Sequence, residues 1–309
     1  MSTVIVGTVA FDKIETPFGK TDKILGGAAT FISLTAAPFA DDVHIISVEG
    51  GDFPDAYIKL LTERGIHTDG LQVKPEGKSF YWSGRYHTDM NTRDTLVTEL
   101  NVLADFDPIL PASCLEPEFV VLGNLTPSVQ MRVLDQLKKR PKLIVMDTMN
   151  YWMDSAWDDL MKVIARVDVL MVNDSEARQL TGEYSLVKAA QKILTMGPKF
   201  LVIKKGEHGA LLFHGDSVFF APALPLEEVF DPTGAGDTFA GGFIGHLAST
   251  GDISFGNMKN AIIYGSAMAS FTVEKFGTEG LLNLTKENIY ERLKLFVDLV
   301  QFDISLVNS

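Results

Sequence analysis

Val169-Leu170-Met171-Val172-Asn173-Asp174-Ser175-Glu176 begins a stretch that ends, after helix-spaced residues including Val187–Met196, in Phe200-Leu201-Val202-Ile203-Lys204-Lys205-Gly206. The runs Val169–Val172 and Phe200–Ile203 are apolar at every position, which suits strands buried on both faces of a parallel sheet. Two such runs joined by a helical pattern predict a βαβ unit. The same alternation recurs upstream. Thr3–Val6, Val43–Val48, Phe119–Leu122 and Leu143–Met146 read as strands, with Ala28–Ala37, Asp55–Arg64, Ser128–Lys139 and Trp157–Ala165 as helices. After Phe230 the pattern turns helical through Gly234–Ala248, Asn257–Phe271 and Lys286–Val300. The fold class expected is α/β, a doubly wound, mostly parallel sheet. Such sheets bind ligands beyond the carboxyl ends of their strands, so the residues that follow each run are the place to look for chemistry.

With 309 residues the chain is long enough for one large α/β domain or two smaller ones. Its 27 basic and 40 acidic residues leave a formal charge of −13, which argues against the nucleic-acid backbone as a main partner. Cys114 is the single cysteine, so no intramolecular disulfide, Cys-rich zinc site or CxxC redox motif is available. Residues 1–7 lack the basic segment and long apolar stretch of an export signal, and no apolar run approaches membrane-spanning length. A cytoplasmic protein without a membrane partner is expected.

Two segments break the alternation, 11–25 and 71–103. Within the second, Ser79-Phe80-Tyr81-Trp82-Ser83-Gly84-Arg85-Tyr86 has strand-like residues but no helix after it. These segments predict a small β excursion, acting either as a lid over the ligand or as a surface hairpin without a role.

The chemistry concentrates in Asp231-Pro232-Thr233-Gly234-Ala235-Gly236-Asp237-Thr238-Phe239-Ala240-Gly241-Gly242-Phe243. Three small residues, Gly234, Ala235 and Gly236, open a helical pattern, so bare backbone N–H groups at the positive helix end can receive an anion. Asp237 follows in the first turn. A carboxylate beside a transferring phosphate makes sense as the base that takes the acceptor's hydroxyl proton. Gly241 and Gly242 permit another backbone to approach. No Gly-Lys-Ser/Thr follows the glycines, so the segment is not a Walker loop, and Gly7-Thr8-Val9-Ala10-Phe11-Asp12 carries no dinucleotide fingerprint.

In this length and order the segment resembles the C-terminal signature of the ribokinase, or phosphofructokinase-B, family of carbohydrate and nucleoside kinases. Shorter matches extend the resemblance over nearly the whole chain and imply a single ribokinase-like catalytic domain spanning 1–309. Gly26-Gly27-Ala28-Ala29 resembles the family's Gly-Gly pair beneath the acceptor, and Asp12 its acceptor-binding aspartate. Asn173 and Glu176 are similar to the Asn-x-x-Glu element that holds hydrated magnesium and nucleotide phosphates; a plain helix cap by Asp174 or Ser175 is the competing reading. Lys204-Lys205-Gly206-Glu207-His208-Gly209 resembles the loop along ATP, with Lys204 balancing phosphate charge and Gly206 and Gly209 allowing close approach. His208 reads as an ordinary loop residue. Gly265, Ser266 and Ala267 fit either an adenine slot or close helix packing, while Asn124 and Asn150 fit either the acceptor pocket or turns. Arg85 and Arg93 belong to the lid, facing the substrate or the solvent.

The resemblance implies ATP as co-substrate with Mg2+, K+ as a further cation to consider, and a sugar or nucleoside as acceptor. A homodimer through the lid is an assembly to look for. Two departures bear on the acceptor: Thr8 follows Gly7 where many relatives have Asp, and Phe31 stands where many have Asn. Phe31 offers either a surface for stacking on a base or packing in the helix core. A sugar is slightly preferred. A ligand-sensing protein without turnover is the alternative from another class.

Overall fold

The computed structural model describes residues 1–301. The strands are β1 (Ser2–Val6), β2 (Ala10–Thr16), β3 (Gly19–Lys20), β4 (Ile24–Gly26), β5 (Asp42–Gly50), β6 (Ile66–Lys74) and β7 (Phe80–Tyr86). They continue with β8 (Arg93–Glu99), β9 (Phe119–Leu122), β10 (Leu143–Asp147), β11 (Val169–Asn173), β12 (Phe200–Lys204), β13 (Ala210–His214) and β14 (Ser217–Ala221). Nine of them form a sheet in the order β14-β13-β12-β11-β10-β9-β1-β5-β6. All neighbours from β12 to β6 are parallel, and β13 and β14 close one edge as an antiparallel hairpin. The expected doubly wound sheet is therefore present.

The apolar runs are continuous because both faces are covered. Ile5, Val121, Val145, Met171 and Val202 point into one core, with the helices Ala28–Ala36, Ala235–Thr250 and Phe255–Val273. Their neighbours Val4, Val120, Met146, Leu170 and Ile203 point into the other, under Pro127–Gln136, Trp157–Ile164, Asp174–Thr181 and Leu186–Leu194. Alternate residues of a strand face opposite sides, so each strand feeds both cores. A Cβ on Gly241 would lie 2.5 Å from the carbonyl oxygen of Ile32, and one on Gly242 would lie 2.7 Å from that of Tyr264. The two glycines thus let Ala235–Thr250 sit tightly between its neighbouring helices.

A second sheet has the order β3-β2-β7-β8, with β4 paired to β2. The excursion is real, but its second part is shorter than the 71–103 read from sequence. Leu71–Lys74 belongs to β6 of the main sheet. As an edge strand, β6 is half-exposed and carries polar residues that blurred it into the excursion. Beyond β8, Asn101 donates to the carbonyl of Ser79 at 2.9 Å and turns the chain back to the main body. Residues 302–309 of the expected catalytic unit lie outside the described residues.

At the amino end of β5, buried His44 sits between Asp42 (2.8 Å) and Asp69 (3.1 Å). The sulfur of Cys114, with the carboxylates of Asp69 and Asp42, outweighs burial and pushes the His44 pKa up to about 9. A raised folded-state pKa contributes stability that is complete below the ordinary value of 6.5 and lost as pH rises through about 9. Urea melts across that window should show wild-type stability falling, with a shallower fall in His44→Gln; parallel curves would remove His44 as the source.

Candidate active site

The chain reverses its winding direction between β1 and β9, and the crevice beyond their carboxyl ends is where the conserved logic of such sheets puts a ligand. Three parallel strands each run one residue past their apolar run. The added residues are Asp147 on β10, Asn173 on β11 and Lys204 on β12, three polar groups side by side at the mouth. Asp147 was not singled out from sequence, although a polar residue closing a buried apolar run was the available signal.

The helix Ala235–Thr250 starts at this mouth. Its cap, Gly234, adopts φ +75°, and a Cβ there would lie 2.5 Å from the ring of Phe31. Ala235, counted from sequence among the anion-hole residues, has its N–H committed to the Pro232 carbonyl at 3.1 Å, closing the turn. The N–H groups of Gly236 and Asp237 have no backbone partner among the described residues, leaving donors free at the positive end of the helix. Buried Asp231 holds the approach, accepting from the N–H of Thr233 and of Gly277, each at 2.8 Å. Asp237 is partly buried, and burial followed by the charge of Asp147 pushes its pKa up to about 7 against the opposing pull of Lys204 and Arg93.

Lys204 completes the cluster. Its Nζ lies 2.5 Å from Asp147 Oδ2 and 3.1 Å from where a Cβ on Gly236 would be. Burial alone would lower its pKa, but Asp147, Glu176 and Asp237 together raise it, so the ammonium stays charged.

Asn173 and Glu176 form a capping box. Asn173 Oδ1 accepts from the Glu176 N–H at 2.8 Å, and Glu176 Oε2 accepts from the Asn173 N–H at 2.7 Å. The cap is thus Asn173, in place of the Asp174 or Ser175 considered from sequence. Burial and then Asp147 push the Glu176 pKa up to about 7. A divalent cation would relieve this crowding of Glu176 and Asp147. Asn173 Oδ1 already accepts from Ser175 as well, so the set fits a hydrated ion better than one stripped of water.

On the other side of the crevice, Asp12 rises from β2 over the glycine pair. A Cβ on Gly26 would fall 2.0 Å from Asp12 Oδ2, and Gly27 takes φ +94° as it enters the helix Ala28–Ala36. Burial first, then Asp231, raises the Asp12 pKa to about 7, and the charge of Asp237 adds to it. Phe31 is 1% exposed and packed under Gly234, so of the two readings of this side chain the core one holds.

A cavity of about 490 Å³ opens beside Gly236, lined by Lys204, Gly206, Gly209, Ser266 and the apolar Pro225 and Val229. Gly265 and Ala267 are helix packing, with a Gly265 Cβ falling 2.7 Å from the Phe239 carbonyl oxygen; Ser266 faces the cavity. The 222–229 segment was not anticipated. Asn91 reaches the cavity from the β7–β8 turn and meets Gly206.

Other sequence candidates separate. Asn124 is satisfied internally, accepting from Trp152 Nε1 at 2.8 Å and donating to Met149 Sδ, and Asn150 donates to Gln179. Arg85 pairs with Glu15 on the exposed side of the second sheet, whereas the charge of Arg93 reaches Asp12, Glu176 and Asp237. His208 is exposed, as a loop residue should be.

Residues 8–284 match the model of the pfkB family carbohydrate kinases. The chain belongs to that family. Kinases of this family use ATP with a divalent metal, and the chain is a phosphotransferase with an alcohol group as acceptor. Among curated relatives of this pfkB-family kinase is a cytidine kinase of Thermococcus kodakarensis, 32% identical over 79% of this chain and 87% of the relative. The nucleoside kinase of Methanocaldococcus jannaschii, an archaeal member of the ribokinase family, has a TM-score of 0.76 at 21% identity, covering 95% of this chain and 98% of its own. A Vibrio cholerae fructokinase bound to fructose, ADP and calcium has a TM-score of 0.77 at 18% identity, covering 95% and 99%. No helix among the described residues is long and apolar enough to cross a membrane.

Proposed function

We propose that this kinase transfers the γ-phosphoryl group of ATP to a hydroxyl of a nucleoside, with Asp237 as general base. The observation that carries the reading is a carboxylate with a pKa near 7 in the first turn of a helix where the N–H groups of Gly236 and Asp237 have no backbone partner, flanked by the Lys204 ammonium. A base of that strength is half-ionised at neutral pH, suited both to hold a proton and to release it. Asp237 takes the acceptor's hydroxyl proton as that oxygen bonds to the γ-phosphorus and the bond to ADP breaks. The N–H groups of Gly236 and Asp237 stabilise charge on the transferring group. Asp12 accepts hydrogen bonds from the acceptor's hydroxyls, and the cavity beside Ser266 takes the nucleotide. Glu176, with Asp147 nearby, would hold hydrated Mg2+, which neutralises phosphate charge during transfer.

Sequence alone tilted the acceptor toward a sugar. The cytidine kinase relative, matched over most of both chains, supports a nucleoside instead, and a sugar is the second reading. The second sheet serves as lid. Its edge strand β8, with Leu96 and Val97 exposed, is the surface through which we expect a homodimer. A coupled ADP-release screen of nucleosides and sugars should give turnover with a nucleoside that chelation of magnesium abolishes and K+ leaves intact or increases. Turnover with sugars alone would overturn the nucleoside assignment, and tight binding without any turnover would overturn the kinase activity.

A further inference from the structure

We infer that Asp147 is a positioning residue for phosphoryl transfer, holding the Lys204 ammonium at the mouth of the anion hole and placing a fixed negative charge behind Asp237. This rests on the proposed roles of Asp237 and of the helix start at Gly234–Gly236.

Asp147 is itself immobilised. It closes β10, is 5% exposed, and its Oδ1 accepts from the backbone N–H of Thr148 at 2.8 Å. Gln130 supports the same strand ends from beneath, donating to the carbonyl of Gly123 at 2.9 Å and reaching that of Asp147 at 3.5 Å. With Oδ1 committed, Oδ2 is left to meet Lys204 Nζ at 2.5 Å. Lysine is a flexible point charge with freely rotating donors, so its location depends on what anchors it. The anchor here puts Nζ next to Gly236, whose N–H, like that of Asp237, has no backbone partner among the described residues.

The same carboxylate acts on the base. Asp147 is the largest charge effect raising the proton affinity of Asp237, behind burial, and Lys204 and Arg93 oppose it. Asp147 thus offsets the ammonium that would otherwise make Asp237 too weak a base, while keeping that ammonium available to phosphate.

Substitution separates these roles. Asp147→Asn removes a negative charge near the triphosphate, so ATP titrated without magnesium should bind no more weakly. The kcat should fall about 10-fold to 100-fold, because the base is weaker and Lys204 is no longer held. The acid limb of the kcat profile should move to lower pH. Asp147→Glu keeps the charge but displaces the anchor, so kcat should fall while the acid limb stays at its wild-type position. A purely structural role would lower thermal stability and leave both pH limbs in place. Wild-type kcat in both variants, or an unmoved acid limb in folded Asp147→Asn, would overturn the inference. If Asp147→Asn does not fold, the Asp147→Glu result decides it, with unchanged kcat the overturning outcome. Wild-type enzyme run in parallel keeps the two questions apart, since its failure to turn over any acceptor would strike the kinase reading itself.

Discussion

Asp237→Asn should retain ATP and acceptor binding while kcat collapses by about 10²–10⁴, the usual consequence of removing a general base. The substitution preserves shape, and no hydrogen bond within the described residues depends on the Asp237 carboxylate, so folding should be unaffected. Burial and Asp147 set the wild-type pKa near 7. Activity should therefore fall as pH drops through that value and the carboxyl gains a proton, and this limb should be absent from the residual activity of the variant. ATP should bind slightly better once a negative charge beside its terminal phosphate is gone. Calorimetric titration with ATP, alongside kcat against pH, checks both statements. A folded Asp237→Asn enzyme with near-normal turnover would remove Asp237 as the base while leaving the family assignment untouched.

Gly234→Ala should both destabilise the protein and disturb the start of the site helix. The residue sits at φ +75°, where a non-glycine residue costs roughly 1–2 kcal/mol, and its new Cβ would lie 2.5 Å from two ring atoms of Phe31 and 2.6 Å from a third. Phe31 is 1% exposed in a packed core and has no room to retreat. Overpacking of this kind adds about 1–3 kcal/mol, so a total loss of about 2–5 kcal/mol is expected in urea melts. The helix start should shift with it, weakening ATP binding through the displaced N–H groups. Adding Phe31→Leu should recover part of the packing loss but none of the backbone strain. Wild-type stability in Gly234→Ala would show that the turn tolerates a side chain, and the anion-hole geometry would need to be redrawn.

Much of this architecture is readable from the chain because burial of a parallel strand on both faces leaves a distinctive mark. Phe119–Leu122 coincides with β9, and the other expected parallel strands lie within the observed ones. The hairpin β13–β14 was not read, although Gly215-Asp216 forms its two-residue connection, with Gly215 at φ +53° and His214 paired to Ser217. Its weaker burial makes the alternation less regular than in the parallel strands. The 71–103 boundary failed for the related reason that an edge strand is polar enough to resemble an excursion. Asn124 and Asn150 show the limit of residue type as a guide, since an amide ending a strand serves a ligand or a neighbouring side chain equally well. Here Trp152 and Gln179 are the neighbours.

By itself the sequence determined the sheet, the helix that begins at Gly234–Gly236 and the acidic residue in its first turn. Those features follow from local rules: apolar periodicity, the conformational freedom of glycine and the charge preference of a helix end. Tertiary structure alone decided that Asp147 anchors Lys204 across 57 positions, that Phe31 lies beneath Gly234, and that Asp12 stands against Gly26. Proton affinities near 7 at Asp12, Glu176 and Asp237 likewise required the fold, because burial and through-space charge depend on distances that residue order does not contain.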